Sequence, residues 1–356
     1  MPIFCIGQSL EKNVEQVFEE IYQFNFNTAK ESIADLKKKN QNNSSIYLLE
    51  ANYHWWKIIA RDSLEANIDH CKKSLDNALT QIMTSKADET TKEELFKLIT
   101  IYGIKARLEL INENHLQVLN YLYKTIDKVK STFDENDYPP FNLTSGLYNF
   151  YMAHTESTMP YLKPFMVLFP NGDIDIGIQQ LNEARKLSSY YSTEASYFLM
   201  KIYTDYRTDL KKAVFYAEEL ANKYPTNMFF QTFLLGIYCD LKETTKISKQ
   251  VSVIEDLATH HDQLSETTKQ HFLLRAYNKI GMYHYLTDTK QALKYFDQAL
   301  TFENFSNDEY FNSMLHKALI IDQTDKNAVA LYSQIIAKSD NDEMKSIAKK
   351  KLKELE

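Results

Sequence analysis

An apolar triad that recurs at long intervals constrains the fold of this chain more than any other sequence feature. Each copy has a small or apolar anchor, an apolar residue four positions later and another three positions after that. The clearest copy is Ala292, Phe296 and Ala299, and this spacing places all three side chains on one face of a helix. The other seven anchors are Ala29, Cys71, Leu119, Gly177, Ala213, Ile247 and Ala328.

The intervals between successive anchors are 42, 48, 58, 36, 34, 45 and 36 residues. An interval of this size accommodates one antiparallel pair of helices. A single pair cannot bury its own apolar face, whereas stacked pairs bury a continuous core. The sequence therefore predicts an all-α array of antiparallel helix pairs, with helical periodicity almost from end to end.

Composition supports this prediction and excludes several classes of function. The chain has 356 residues with only Gly 7 and Pro 7, which disfavours turn-rich β folds and glycine-rich phosphate loops. A net charge of -7 argues against a nucleic-acid partner, because binding phosphates requires a basic face. No apolar run is long enough to predict a transmembrane segment.

Breaks in the helical pattern divide the chain into five segments. Prolines at 160, 164 and 170 interrupt an apolar stretch that a continuous helix cannot cross, and this insertion accounts for the longest interval. The predicted segments are an N-terminal stretch (1–9), divergent helix pairs (10–133), a central pair with a Pro-rich apolar insertion at 159–170 (134–191), C-terminal repeats (192–340) and a capping helix (341–356).

The first nine residues allow two interpretations. Residues 1–9 are short and apolar, and helix-like polar sequence begins at Glu11. They are either the remnant of a secretory signal or a frayed terminus that covers the first helix pair. The first interpretation predicts an exported or periplasmic protein, and the second predicts a cytoplasmic one.

The repeating units resemble the tetratricopeptide repeat. Ala292, Phe296 and Ala299 match the family's second-helix positions, and Leu235-Gly236 resembles its first-helix Leu-Gly pair. Ala213 and Pro225 have the spacing of the second-helix alanine and the closing proline. The resemblance spans about residues 10–340. It implies a right-handed α-solenoid that binds a protein or peptide partner on its concave face. Most units here are longer than the family's repeat, and most lack its glycine and proline.

The central segment has a second resemblance. The helix at 145–153, the Pro-rich loop and the helix that carries the Gly-x3-Leu pattern at Gly177 are similar to an element of divergent repeat proteins of the tetratricopeptide 39 type. This resemblance concerns the architecture and carries no chemistry.

No catalytic or metal-binding motif is present. The nine histidines and three cysteines lack the spacing that places ligands on one helical face. Nucleophile-elbow, Walker and zinc-protease patterns do not occur. Asp173 is interpreted as the start of a helix, where its side chain accepts backbone N–H groups. We therefore predict a protein that is not an enzyme and has no cofactor.

Candidate partner-binding residues come from aromatic and amide side chains near the repeat register. Asn52 and Trp55 are expected to face the concave groove, where an amide and a ring bind peptide backbone and side chain. The competing interpretation packs one of Trp55 and Trp56 between helices and leaves the other half-buried. The middle helix contributes further candidates, which are Leu147, Asn149 and Phe150.

The apolar loop at 159–170 supplies the last candidates, Tyr161, Phe165 and Phe169. Its large side chains cannot all be exposed without forming an adhesive patch. The loop either fills the concave channel or docks on a partner or a lipid surface.

The resulting hypothesis is a non-catalytic scaffold that binds a protein or peptide along its concave face. The first alternative is an α/α-barrel hydrolase acting on a sugar or peptide through central carboxylates. The second is a scaffold that makes peripheral contact with a membrane through residues 159–170.

Overall fold

The structure, a computed structural model, describes residues 3–84, 90–133, 137–158, 169–187, 189–303, 305, 307–321 and 327–355. For residues 3–9 it describes the backbone. The described residues form seventeen α-helices and no β-strand, which confirms the all-α prediction of helix pairs. None of these helices is both long enough and apolar enough to cross a membrane.

The chain divides into two compact units, Met1–Leu220 and Ala221–Glu356. The helices of the first unit are α1 (Ile3–Tyr22), α2 (Phe26–Lys39), α3 (Ser44–Ile59), α4 (Leu64–Thr84), α5 (Lys92–Ile111), α6 (His115–Lys130), α7 (Phe141–Thr158), α8 (Ile174–Ala184), α9 (Tyr190–Lys201) and α10 (Leu210–Lys223), within which the unit ends. A π-helical turn, Ile202–Tyr206, extends α9. The finer segmentation predicted from the sequence stays a prediction.

The second unit continues the series of helix pairs, and the two helices of each pair are called here its first and second helix. Its helices are α11 (Met228–Leu241), α12 (Thr244–His260), α13 (Glu266–His284), α14 (Thr289–Ala299), α15 (Asp308–Ile321), α16 (Asn327–Lys338) and α17 (Asp342–Leu355). The N-terminal helix α1 begins at Ile3, earlier than the Glu11 indicated by the sequence pattern.

Polar side chains fix where several helices begin. Asp173 accepts hydrogen bonds from the backbone N–H groups of Asp175 and Ile176, as the sequence predicts for a helix start. Thr91 and Glu94 form a reciprocal capping box at the start of α5. These caps satisfy N–H groups that have no partner inside the helix, so they help to set the register of each pair.

The recurring triads form the seam of the fold. In seven of the eight copies the anchor and both following apolar residues are buried. The register predicted for the third copy, anchored at Leu119, is wrong, because its second residue, Tyr123, is 63% exposed. The buried side of α6 instead follows Leu122, Ile126 and Val129, a shift of three residues.

Small residues allow the closest helix approaches. A β-carbon on Gly177 would lie 2.8 Å from the carbonyl oxygen of Gly146, so α7 and α8 meet backbone to backbone. A β-carbon on Gly281 would collide with the ring of Phe296, the central residue of the clearest triad. Gly236 differs, because its nearest neighbour would be Lys279 Cε at 3.7 Å. Of these two glycines, Gly281 is therefore the one that packs closely against a neighbouring helix.

First helices form an inner layer within each unit. In the second unit α11 packs on α13 and α13 packs on α15, while α12, α14 and α16 lie between or beside them. In the first unit the corresponding series is α1, α3, α5, α7 and α9, and α9 also contacts α1. The five first helices of the first unit therefore close into a ring, called here the first-helix ring.

The packing of Gly281 against Phe296 gives a matched stability test. Gly281→Ala should lower the free energy of unfolding by about 1–3 kcal/mol, because overpacking outweighs the gain in helix propensity. Gly236→Ala, on the preceding first helix, should raise it by up to ~1 kcal/mol. Urea unfolding followed by circular dichroism measures both. Equal stabilisation by the two substitutions would contradict the described seam.

Candidate functional site

The first-helix ring closes through contacts between α1 and α9. The Tyr22 hydroxyl donates a hydrogen bond to Glu194 Oε1 at 2.8 Å. One turn earlier on α1 the ring of Phe18 stacks on Tyr190 with centroids 4.0 Å apart, and Glu15 accepts from the backbone N–H of Tyr190. Residues more than 170 positions apart are thus brought together, and the inner faces of five helices enclose one interior.

Both tryptophans lie in this interior. Trp56 is 1% exposed and its ring packs edge-on against Tyr22 and Tyr197, at 5.3 and 5.7 Å. Trp55 is also buried, and the Arg107 guanidinium lies 4.4 Å from its ring centroid. Neither indole is half-buried, because ring closure turns the inner face of α3 into core. A role for the two tryptophans in partner binding stays a prediction.

The amide of Asn52 is engaged within its own helix. Its Nδ2 donates to the carbonyl oxygen of Leu48 at 2.9 Å, and the side chain is buried. An asparagine amide has two N–H groups, so this bond occupies one of the donors that were expected to bind a peptide backbone.

The middle-helix candidates point in different directions. Asn149 Nδ2 donates to Gln180 Oε1 on α8 at 2.8 Å, so this amide joins the two helices of one pair. Phe150 is fully buried and its ring packs on Tyr206 of the π-helical turn. Leu147 is half-buried. Their role as partner-binding residues stays a prediction.

The loop candidates fall largely outside the described residues. Tyr161 and Phe165 belong to 159–168, which the structure does not describe, whereas Phe169 is described and partly buried. The following residue is held by α7, because the Tyr148 hydroxyl donates to the carbonyl oxygen of Pro170 at 2.8 Å.

The ring interior holds two charged side chains that the sequence analysis did not single out, Arg107 and Glu194. Burial raises the pKa of Glu194, while Arg107 and the hydrogen bonds from Tyr22 and Trp56 oppose that rise. Both side chains retain some solvent-accessible surface. For Arg107 the available signal was α5 itself, since a helix with apolar residues on every side must bury some of its charges.

The second unit presents a polar row on its first helices, called here the amide row. Asn278 Nδ2 on α13 donates to Asn312 Oδ1 and to Ser313 Oγ on α15, both at 2.9 Å. Beside this pair, Arg275 Nε lies 3.2 Å from Glu309 Oε1. The four larger side chains of the row, Asn278, Asn312, Arg275 and Glu309, are all part-exposed. They therefore form a polar surface shared by two adjacent first helices.

Charge and ring contacts extend the same surface. Lys279 Nζ on α13 lies 2.8 Å from Asp240 Oδ1 on α11. At the far end of α13 the ring of Tyr285 packs edge-on against His316 of α15 at 4.8 Å. Burial lowers the pKa of His316, so its imidazole is mainly neutral near pH 7. In the described part of the chain, no group of three or more histidine, cysteine or acidic side chains is arranged to hold a metal ion.

Comparison with known proteins gives matches to solved structures only. No protein-family model matches the sequence, and no curated protein matches it. The chain is similar to NprR in the crystal structure of its complex with its cognate peptide NprX, with 13% identity and a TM-score of 0.39, over 98% of this chain and 83% of that one. It is also similar to the C-terminal part of a TPR repeat-containing protein from Cytophaga hutchinsonii, with 13% identity and a TM-score of 0.32, over 89% of this chain and 98% of that one. Both TM-scores are below 0.5.

The environment of Glu194 predicts a pH-dependent effect of Glu194→Gln. A carboxyl group whose pKa is raised by folding stabilises the fold below its unfolded pKa, and this stabilisation is lost as pH rises through the folded pKa. The amide keeps an acceptor for Tyr22 and does not ionise. The stability of the variant relative to the wild type should therefore increase from pH 4 to pH 8.

Tryptophan fluorescence during urea unfolding measures this effect selectively, because Trp55 and Trp56 are the chain's two tryptophans and both lie in the first unit. Comparing the variant with the wild type at each pH cancels the other titrating groups. The free energy of unfolding of the variant minus that of the wild type should become more positive as pH rises. A value that becomes more negative would contradict the environment assigned to Glu194.

Proposed function

We propose that the protein is a non-catalytic helical-repeat scaffold that binds an extended peptide segment of a protein partner along α13 and α15 of the second unit. The observation that carries this proposal is the pair of part-exposed amides, Asn278 and Asn312, bonded to each other on adjacent first helices. Successive first helices pack directly on each other, which spaces their side chains regularly along the inner layer.

An asparagine side chain suits this role because it carries both a donor and an acceptor. It matches the N–H and C=O groups that an extended peptide presents, whatever the peptide's side chains are. The link between Asn278 and Asn312 holds both amides in place before a peptide arrives, which reduces the entropy lost on binding.

Charged neighbours give the amide row its selectivity. The Arg275–Glu309 and Lys279–Asp240 pairs are part-exposed, and ion pairs in such positions contribute little to stability. A partner can therefore exchange one member of a pair for its own charged side chain at small cost. The expected ligand is a peptide that carries both acidic and basic residues.

The alternatives predicted from the sequence receive less support. A sugar hydrolase normally needs two carboxyl groups at a defined separation, and the charged group that most affects Glu194 is the cation Arg107. The candidate residues Asn52, Trp55, Trp56, Leu147, Asn149 and Phe150 stay a second proposal for partner contact in the first unit. Membrane contact through 159–170 stays a prediction because 159–168 is outside the described residues.

A display selection of random linear peptides against the full chain tests the proposal. The strongest binders should lose at least tenfold in affinity for the double variant Asn278→Ala/Asn312→Ala, because about 1 kcal/mol is lost for each amide hydrogen bond. The matched control is Gln291→Ala/Gln334→Ala, which removes two exposed amides from the second helices α14 and α16.

Fluorescence anisotropy of labelled peptides gives the affinities, and thermal melting shows that each variant folds. Selected peptides that bind both double variants as well as they bind the wild type would overturn the proposal. A selection that yields no binder would do the same.

A further inference from the structure

We infer that the interior of the first-helix ring is a second binding site, in which Arg107 takes a single carboxylate attached to an apolar or aromatic body. This site lies in the first unit and is independent of the peptide surface proposed for the second.

Arg107 makes no hydrogen bond or ion pair with any residue in the described part of the chain. Its contacts are with two aromatic rings, Trp55 at 4.4 Å and Phe198 at 5.3 Å from the ring centroids. Stacking on aromatic faces holds a guanidinium in place but leaves the N–H groups at its edge unused. Five donors fixed in a plane are the group that binds a carboxylate in bidentate fashion.

Arg107 differs from its charged neighbours on the same helix, which are both paired. It lies on α5, where the residues before and after it in sequence, Ala106 and Leu108, are both buried. The other two charged residues of this stretch have acidic or basic partners on α4, since Lys105 pairs with Asp76 and Glu109 pairs with Lys72. A charge held inside a protein is costly unless it is paired or solvated. Arg107 is half-buried, so water reaches it, and an anion that displaces this water would supply the missing partner.

The side chains that line the interior indicate what kind of group the carboxylate is attached to. Trp55, Trp56 and Phe198 are buried aromatic residues on α3 and α9, and Tyr197 lies beside Trp56. Burial raises the pKa of both Tyr197 and Tyr151, and the positive charge of Arg107 opposes each rise, so the two phenols also lie near the guanidinium. Large rings around one cation suit a carboxylate on an apolar or aromatic body better than a polar anion.

Glu194 restricts the charge of the ligand to one. It is close enough to Arg107 for their charges to interact, and its Oε1 is already occupied by the Tyr22 hydroxyl. A phosphate or a dicarboxylate would place a second negative charge near this group, which like-charge repulsion disfavours. The site therefore selects monocarboxylates over polyanions.

Two sources can supply this chemistry, the C-terminus of a peptide that ends in an aromatic residue and a free aromatic acid. Three probe pairs distinguish them by isothermal titration with the wild-type chain: N-acetyl-phenylalanine and its amide, a phenylalanine-terminated pentapeptide and its C-terminal amide, and phenylacetate and phenylacetamide. In at least one pair the acid should bind at least tenfold more tightly than the amide. Tight binding of the pentapeptide acid alone identifies a peptide C-terminus, and tight binding of phenylacetate identifies a free acid.

Variants of Arg107 separate binding from a purely structural role. Arg107→Gln should remove the preference for the acid, and Arg107→Lys should retain only part of it, because an ammonium group cannot bind in bidentate fashion. Arg207→Gln, which changes an exposed arginine just after the π-helical turn, should leave the preference unchanged. Thermal melting of each variant reports any loss of packing.

Several results would overturn the inference. One is equal binding of acid and amide by the wild type in all three pairs, including no binding of either. Another is an Arg107→Gln variant that folds and keeps the full preference. If Arg107→Gln fails to fold, the wild-type comparison and Arg107→Lys still decide the question.

Discussion

The contact between α1 and α9 determines what the first unit can be. In a row of helix pairs the inner faces of the first helices are open to solvent, and side chains there are free to meet a partner. Once α9 returns to α1, five inner faces enclose one interior, and their own side chains fill much of it. Aromatic residues suit such an interior, because each ring buries a large area and rings pack favourably edge-on. The tryptophans of α3 are therefore core residues.

Closure also explains the unusual charges of this interior. Glu194 completes the ring through its hydrogen bond from Tyr22, and burial raises its pKa. Arg107 balances part of that cost while its guanidinium is held by two rings and not by a carboxylate. A closed ring thus contains a cation with unused donors in apolar surroundings, which is the basis of the carboxylate site.

The second unit uses the same helix pairs differently. Its three first helices form a row in which polar side chains connect neighbours, through the Asn278–Asn312 pair and flanking ion pairs. Buried triads on the second helices hold the pairs together, as with Phe296 against Gly281. Because the seam is apolar, the polar contacts of the row are not needed as core and are available for a partner.

Local sequence was sufficient to predict the helices and most of the seam. Helix periodicity and capping residues are determined within a few positions, so the pairs and seven triads could be recognised. The register predicted for α6 was wrong because this helix has apolar residues on two sides. Leu116 and Tyr123, on one of these sides, face solvent. Periodicity alone cannot say which of two apolar sides is buried.

Ring closure could not be predicted, since it joins residues such as Tyr22 and Glu194 that are 172 positions apart. Because ring closure was not predicted, Trp55 was expected to face an open groove, and Arg107 was not predicted as a binding residue. The candidate site was therefore predicted by residue type, while the enclosure that gives those residues their chemistry depends on long-range packing.

A double-mutant cycle on Phe18 and Tyr190 tests ring closure most directly. Their rings stack across the α1–α9 contact with centroids 4.0 Å apart. Unfolding free energies from tryptophan fluorescence would be measured for Phe18→Leu, Tyr190→Leu and the double variant. Closure predicts a coupling energy of about 0.5–1.5 kcal/mol between the two rings. Strictly additive effects would show that α1 and α9 do not meet, and the enclosed interior would not exist.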